Sequence, residues 1–146
     1  MTQGGRFNGL GLYLLQGRPI FHYNLVGVDR TTVAAKDPLT PGKHTIAVDF
    51  KYDGGGVGKG GVATLTLDGK EVANAKLTRT IPFRVSVDET LDIGEDTGTP
   101  VSEDYHVPFK FTGAINKVAV DLSVSKLSPQ DQKRLDEQEA ANEIID

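Results

Sequence analysis

The sequence holds 146 residues with 16 Lys and Arg against 20 Asp and Glu, and it contains no cysteine. That length suits one domain with a core of its own, and the absent thiols exclude disulfides, thiolate metal sites and a cysteine nucleophile. The net charge of −4 falls wholly in residues 129–146, six acids against two bases, so the remaining body is neutral and lacks the positive field that nucleic acid or an anionic membrane would need.

From Gly9 onward, short β-prone runs alternate with Gly, Pro and Asp punctuation. Gly9–Leu15 precedes Gln16-Gly17, and Pro19–Val26 follows, carrying Ile20, Phe21, Tyr23 and Leu25, residues that favour a strand. Thr31–Ala35 forms a third run. In His44–Tyr52 the apolar residues Ile46, Val48, Phe50 and Tyr52 alternate with Thr45, Ala47, Asp49 and Lys51, the period of two of a half-buried strand. Val62–Leu67 and Lys70–Leu77 flank Asp68-Gly69, which predicts a two-residue hairpin turn because both central residues need positive φ. Further runs lie at Ile81–Val87, Thr90–Ile93, Val107–Thr112 and Ile115–Val124. About ten short strands with no crossover helix predict an all-β chain, an antiparallel β-sandwich or barrel. Seventeen Gly and no Trp fit that turn-rich class.

Only the end reads as helical. Ser128 as N-cap, Pro129 at the first helical position and the acids that follow predict a short C-terminal α-helix. The chain thus divides into a sandwich at 1–126 and an acidic helix or tail at 127–146, read as a solvated end rather than a docking helix. No apolar run approaches the ~18 residues of a membrane span. The N-terminus carries no apolar leader core, so the expected compartment is the cytoplasm by default.

Several stretches invite a chemical reading. Asp53-Gly54-Gly55-Gly56-Val57-Gly58-Lys59-Gly60-Gly61 fails the Walker pattern, with Asp53 and Gly60 where Gly and Ser or Thr are required. Its Gly-x-Gly-x-x-Gly portion leads into a strand, which offers no helix N-terminus to a pyrophosphate. It is expected to be a hairpin connection. Between Asp88 and Tyr105 seven carboxylates occur with no basic residue. Such density is solvated or shares a cation, and Asp88, Asp92, Asp96 and Asp104 would be the hard oxygen ligands of a Ca²⁺ site. His22, His44 and His106 show no metal-ligand spacing. No serine elbow or other catalytic constellation is visible, so this chain alone is expected not to be an enzyme. Tyr23, Tyr52 and Tyr105, with Tyr13, are candidate stacking surfaces for a carbohydrate ligand, although edge-of-core packing explains tyrosines equally well.

In this order the sequence carries Gly4-Gly5-Arg6-Phe7-x-Gly9-x-Gly11-Leu12-Tyr13, Tyr23-Asn24-x-x-Gly27-x-x-Arg30, Phe50-x-Tyr52-Asp53-Gly54-Gly55-Gly56-x-Gly58-Lys59-Gly60-Gly61, Asp68-Gly69-Lys70 and Asp96-Thr97-Gly98-Thr99-Pro100-Val101-Ser102-x-Asp104-Tyr105. Over about residues 3–124 the chain resembles the C-terminal domain of bacterial arylsulfatases of the alkaline-phosphatase-like sulfatase superfamily. The resemblance implies a concanavalin A/laminin G-like jelly roll. It also implies an accessory or interaction module, because the family's catalytic Cys/Ser-x-Pro-x-Arg motif is absent and no catalytic residue carries over. In the family one or two strands precede the Gly-Gly-Arg-Phe motif, so an unpaired sheet edge is expected here. Such an edge invites a second copy of the chain or a partner strand, and the family context adds a sulfatase-like catalytic partner. A lectin-like, Ca²⁺-dependent sugar-binding domain is the alternative, and an arylsulfatase part whose hydrolysing domain lies outside this chain is another.

Overall fold

The computed structural model describes residues 1–82, 85, 89–122, 128–130, 132, 133, 136 and 137. Its described strands are β1 (Thr2–Gly4), β2 (Gly9–Leu15), β3 (Arg18–Leu25), β4 (Asp29–Ala34), β5 (Ile46–Tyr52), β6 (Lys59–Leu67), β7 (Lys70–Arg79), β8 (Leu91–Asp92), β9 (Glu95–Asp96) and β10 (Phe109–Lys110). A five-stranded sheet runs β4-β3-β2-β1-β8, a three-stranded sheet runs β5-β6-β7, and β9 pairs with β10. Every pairing is antiparallel. The chain is an all-β sandwich.

Alternation decides how the layers meet. On β3, Phe21, Tyr23 and Leu25 turn to one face while Ile20, His22 and Asn24 turn to the other. Phe21, Tyr23, Val33 and Ala35 of the larger sheet pack against Ala63, Leu65 and Leu77 of the three-stranded sheet to form the main core. On the opposite face Tyr13 and Ile20 pack with Tyr105, flanked by Val107 and Phe109. The larger sheet is therefore covered on both sides, and Pro19–Asn24 are buried without interruption. A central antiparallel strand with no solvated face is unlike the usual half-buried pattern. It explains why the polar residues His22 and Asn24 lie inside.

The turns follow the sequence. Asp68 and Gly69 adopt φ of 50° and 79°, and Gln16 and Gly17 adopt 51° and 77°, the left-handed pair that a two-residue hairpin requires. The Gly-rich stretch after Tyr52 joins β5 to β6 as a hairpin connection.

Other expectations are corrected. Strands β1 and β9 are additional, because they lie among Gly and acidic residues that carry no alternation. Within the predicted strand Ile115–Val124, residues 115–122 form no ladder and are all exposed. The alternation there is strand-like, but a ladder also needs an adjacent edge. Of the predicted run Ile81–Val87, residues 83, 84, 86 and 87 lie outside the described residues, as do residues 123–127 and most of the C-terminal helix. At that helix's start the Gln132 N–H donates to the Ser128 carbonyl at 2.9 Å, the bond of a first helical turn.

Candidate functional site

The polar face of the larger sheet, under the segment from Asp96 to Phe109, holds the densest set of buried polar contacts. Asn24 sits at its centre, fully buried. Its Nδ2 donates to the Arg6 carbonyl at 2.7 Å and lies 3.3 and 3.4 Å from the Val101 and Gly5 carbonyls, while its Oδ1 accepts the Gly27 N–H at 2.8 Å. One side chain thus ties together the β1–β2 loop, the β3–β4 turn and the covering segment. Asn8 Oδ1 adds the Val26 N–H at 2.9 Å, and the Thr99 hydroxyl accepts the Arg6 N–H at 2.9 Å.

Two tyrosines anchor the cover. The Tyr13 hydroxyl donates to Asp104 at 2.9 Å, and the Tyr105 hydroxyl donates to Asp96 at 2.5 Å. Their rings meet edge to face at 5.1 Å, and Tyr105 stacks on Phe109 at 4.3 Å. Burial pushes both phenols well above the usual tyrosine range. Burial also raises the Asp96 carboxyl, against the Tyr105 hydrogen bond that favours its ionised form. His22 Nδ1 lies 2.8 Å from the Thr32 hydroxyl, its Nε2 is buried without a hydrogen-bond partner, and burial lowers its basicity. Arg30 pairs with Glu103 at 3.0 Å across the rim.

Beside this face a cleft of about 160 Å³ is lined by Gly4, Glu89, Thr90, Asp92, Thr97 and Gly98. The Glu89 carboxylate accepts the Thr99 N–H at 2.9 Å and the Thr99 hydroxyl. A Cβ on Gly5 or Gly98 would stand 2.4 Å from that carboxylate, so a side chain at either position would require the Glu89 carboxylate to shift.

The tyrosine and aspartate candidates separate. Tyr23 and Tyr105 are buried, and their rings pack in the two cores; the Tyr23 hydroxyl accepts the Ile81 N–H at 2.6 Å. Tyr52 alone of the three stays exposed, next to Phe50 at 6.4 Å, with its hydroxyl donating to the Gly56 carbonyl and accepting the Lys59 N–H at 2.9 Å. Asp96 and Asp104 are held by tyrosines, and Asp92 accepts the Thr97 N–H at 3.0 Å. Asp88 lies outside the described residues. Among the described residues no three His, Asp or Glu side chains gather as a metal site, so Asp92, Asp96 and Asp104 do not assemble as the acidic spacing suggested.

Sequence reasoning missed the apolar group at the same end of the sheet. Phe7, Val26 and Val28 are 78%, 59% and 84% exposed. They stand on the β1–β2 loop and the β3–β4 turn, which Asn8 and Asn24 stitch together. Val26 adopts φ of 53°, a conformation that β-branched residues avoid. Hairpin position, with Gly27 next, was the available signal.

Comparison of the chain with protein-family models, with curated proteins and with solved structures returns no match.

Proposed function

We propose that this chain is a non-catalytic accessory module of the kind found at the C-terminus of bacterial arylsulfatases, folded as a concanavalin A-like jelly roll, which docks on a sulfatase-type catalytic partner. The observation that supports it is the apolar trio Phe7, Val26 and Val28, held to solvent by two buried or loop asparagines and by a strained turn. Strain of this kind persists only where the surroundings over-determine it, and it gathers at functional surfaces. Exposed apolar residues on a rigid platform suit a protein partner better than a solvated end.

Purified chain mixed with a formylglycine-type sulfatase catalytic domain lacking its own C-terminal domain should co-elute on size exclusion. The Phe7→Ser/Val28→Ser variant should elute apart from it. The chain alone should hydrolyse p-nitrophenyl sulfate no faster than buffer. Turnover by the chain alone, or separate elution of the unaltered proteins, would overturn the reading. A lectin-like role would rest on the exposed Phe50 and Tyr52 rings. A glycan array with and without Ca²⁺ tests it, and loss of a positive signal in Tyr52→Ala would be required.

A further inference from the structure

Two features of the described chain lack what the other has. Residues 111–122 are exposed throughout and make no ladder, although Phe111, Ile115, Val118, Val120 and Leu122 are apolar. Leu122 is 84% exposed. Strand β5, in turn, pairs only with β6. The other long edges, β4 and β7, lie together and are joined where the Thr78 hydroxyl donates to Asp29 at 2.8 Å, and β8 is two residues long. Among the described strands, β5 is the long edge left open.

The geometry of β5 says what could join it. The Asp53 and Asp68 N–H groups donate to the Gly60 and Thr45 carbonyls, so the odd-numbered residues bond towards β6. The even-numbered residues Ile46, Val48, Phe50 and Tyr52 therefore turn their backbone groups to the open side. Ile46 and Val48 pack against the core, and Phe50 and Tyr52 extend the same face of the strand while staying exposed, so an arriving strand must put apolar residues opposite them. Val118 and Val120 can do so in three antiparallel registers centred on β5. One sets Lys117 against Lys51 and another sets Asp121 against Asp49, and like charges directly opposed destabilise a ladder. The third sets Lys117 against Asp49, Ala119 against Ala47, Val118 against Val48 and Val120 against Ile46. It lays residues 114–120 along the whole of β5.

The chain's own β5 is badly placed to receive this segment. Residue 111 is fixed by its N–H to the Gly94 carbonyl at 2.8 Å, and Ile115 lies beside Gly94. This anchorage continues from β9 and β10; Phe109 of β10 and the preceding Tyr105 cover the face of the larger sheet opposite the one that β5 and β6 cover. We propose that residues 114–120 of one copy add as an antiparallel strand to the open edge of β5 in a second copy, with Lys117 opposite Asp49. Backbone pairing supplies the contact and the charge pair sets the register. The proposal is independent of any sulfatase partner, which was assigned to the Phe7 end.

The cysteine-free chain makes the test clean. Because the even residues form the hydrogen-bonded pairs, Ala47 and Ala119 would face each other in a non-hydrogen-bonded pair, whose Cα atoms stand ~4.5 Å apart, within the disulfide range. The Ala47→Cys/Ala119→Cys variant, oxidised at about 100 µM with its fold checked by circular dichroism, should run as a disulfide-linked dimer or ladder on a non-reducing gel. Ala47→Cys/Asp121→Cys, one register out, should cross-link at least about tenfold more slowly. With native cysteine-free chains, Lys117→Asp should shift light-scattering mass towards monomer, and Asp49→Lys/Lys117→Asp should restore it. An intramolecular disulfide would place the strand on its own β5 and overturn the proposal. Free thiols after oxidation, or equal cross-linking in both registers, would overturn it as well.

Discussion

Asn24 and Val26, two positions apart on one hairpin, carry opposite energetic roles. Asn24 satisfies four backbone groups from three segments while wholly buried. Asn24→Ala would leave the buried Gly5 and Val101 carbonyls without this donor and open the part-buried bonds to Arg6 and Gly27, and it should lower unfolding stability by about 2 kcal/mol in urea titration. A loss under about half a unit would show that water replaces the side chain freely. Val26 holds a positive φ that an asparagine tolerates far better. Val26→Asn should therefore stabilise the chain by about 1 kcal/mol while weakening capture of the catalytic partner. A destabilised Val26→Asn protein would mean that the turn is not strained. At Gly98 the constraint is space rather than φ, because Gly98→Ala would make the Glu89 carboxylate move.

At the scale of elements, pH separates two histidines. His44 Nδ1 lies 2.8 Å from Asp68, and its Nε2 lies 2.8 Å from the Thr40 carbonyl. The ring therefore joins the segment before β5 to the β6–β7 turn. The Asp68 hydrogen bond, then the Thr40 carbonyl, raise its basicity above the ordinary 6.5. A raised folded value means stabilisation that is complete below the unfolded value and lost as pH rises through the folded one. Asp68 is held low by the Thr45 N–H and then by His44, so its part is present above the usual carboxylate range and lost in strong acid. His22 runs the other way, because burial lowers it. It favours the fold above the ordinary imidazole value and does so less as pH falls through the lowered one. Proton NMR should find His44 titrating above, and His22 below, the ordinary imidazole value of 6.5. The destabilisation caused by His44→Gln should shrink between pH 5.5 and pH 8.5, and a constant difference would contradict the imidazolium assignment.

For the molecule as a whole, stability rests on apposing two sheets. Leu65 of β6 is fully buried and shares the main core with Phe21, Tyr23 and Val33 of the facing sheet. Leu65→Ala should cost about 3 kcal/mol. Thermal unfolding followed in the far and near ultraviolet should remain one transition if the two sheets form a single cooperative unit. Separate transitions would show that the Tyr13–Tyr105 face melts independently of the main core.

The order of residues by itself determined the strands from Gly9 to Arg79 in outline, because alternation and Gly-containing turns act over a few neighbours. Asp68-Gly69 specifies its hairpin through φ alone, and Ile46–Tyr52 declares a strand by its period of two, although only Ile46 and Val48 reach the core. The same local signals marked residues 115–122 as strand-forming. Whether a strand pairs, however, depends on an edge supplied from far along the chain. Tyr23 and Tyr105 could not be told from ligand platforms for the same reason. Nor could the acidic stretch reveal that Asp96 and Asp104 accept tyrosine hydroxyls. Tertiary packing decided these points: covering both faces of one sheet turned Asn24, His22, Tyr13 and Asp96 inward, and burial then fixed their hydrogen bonds and their ionisation.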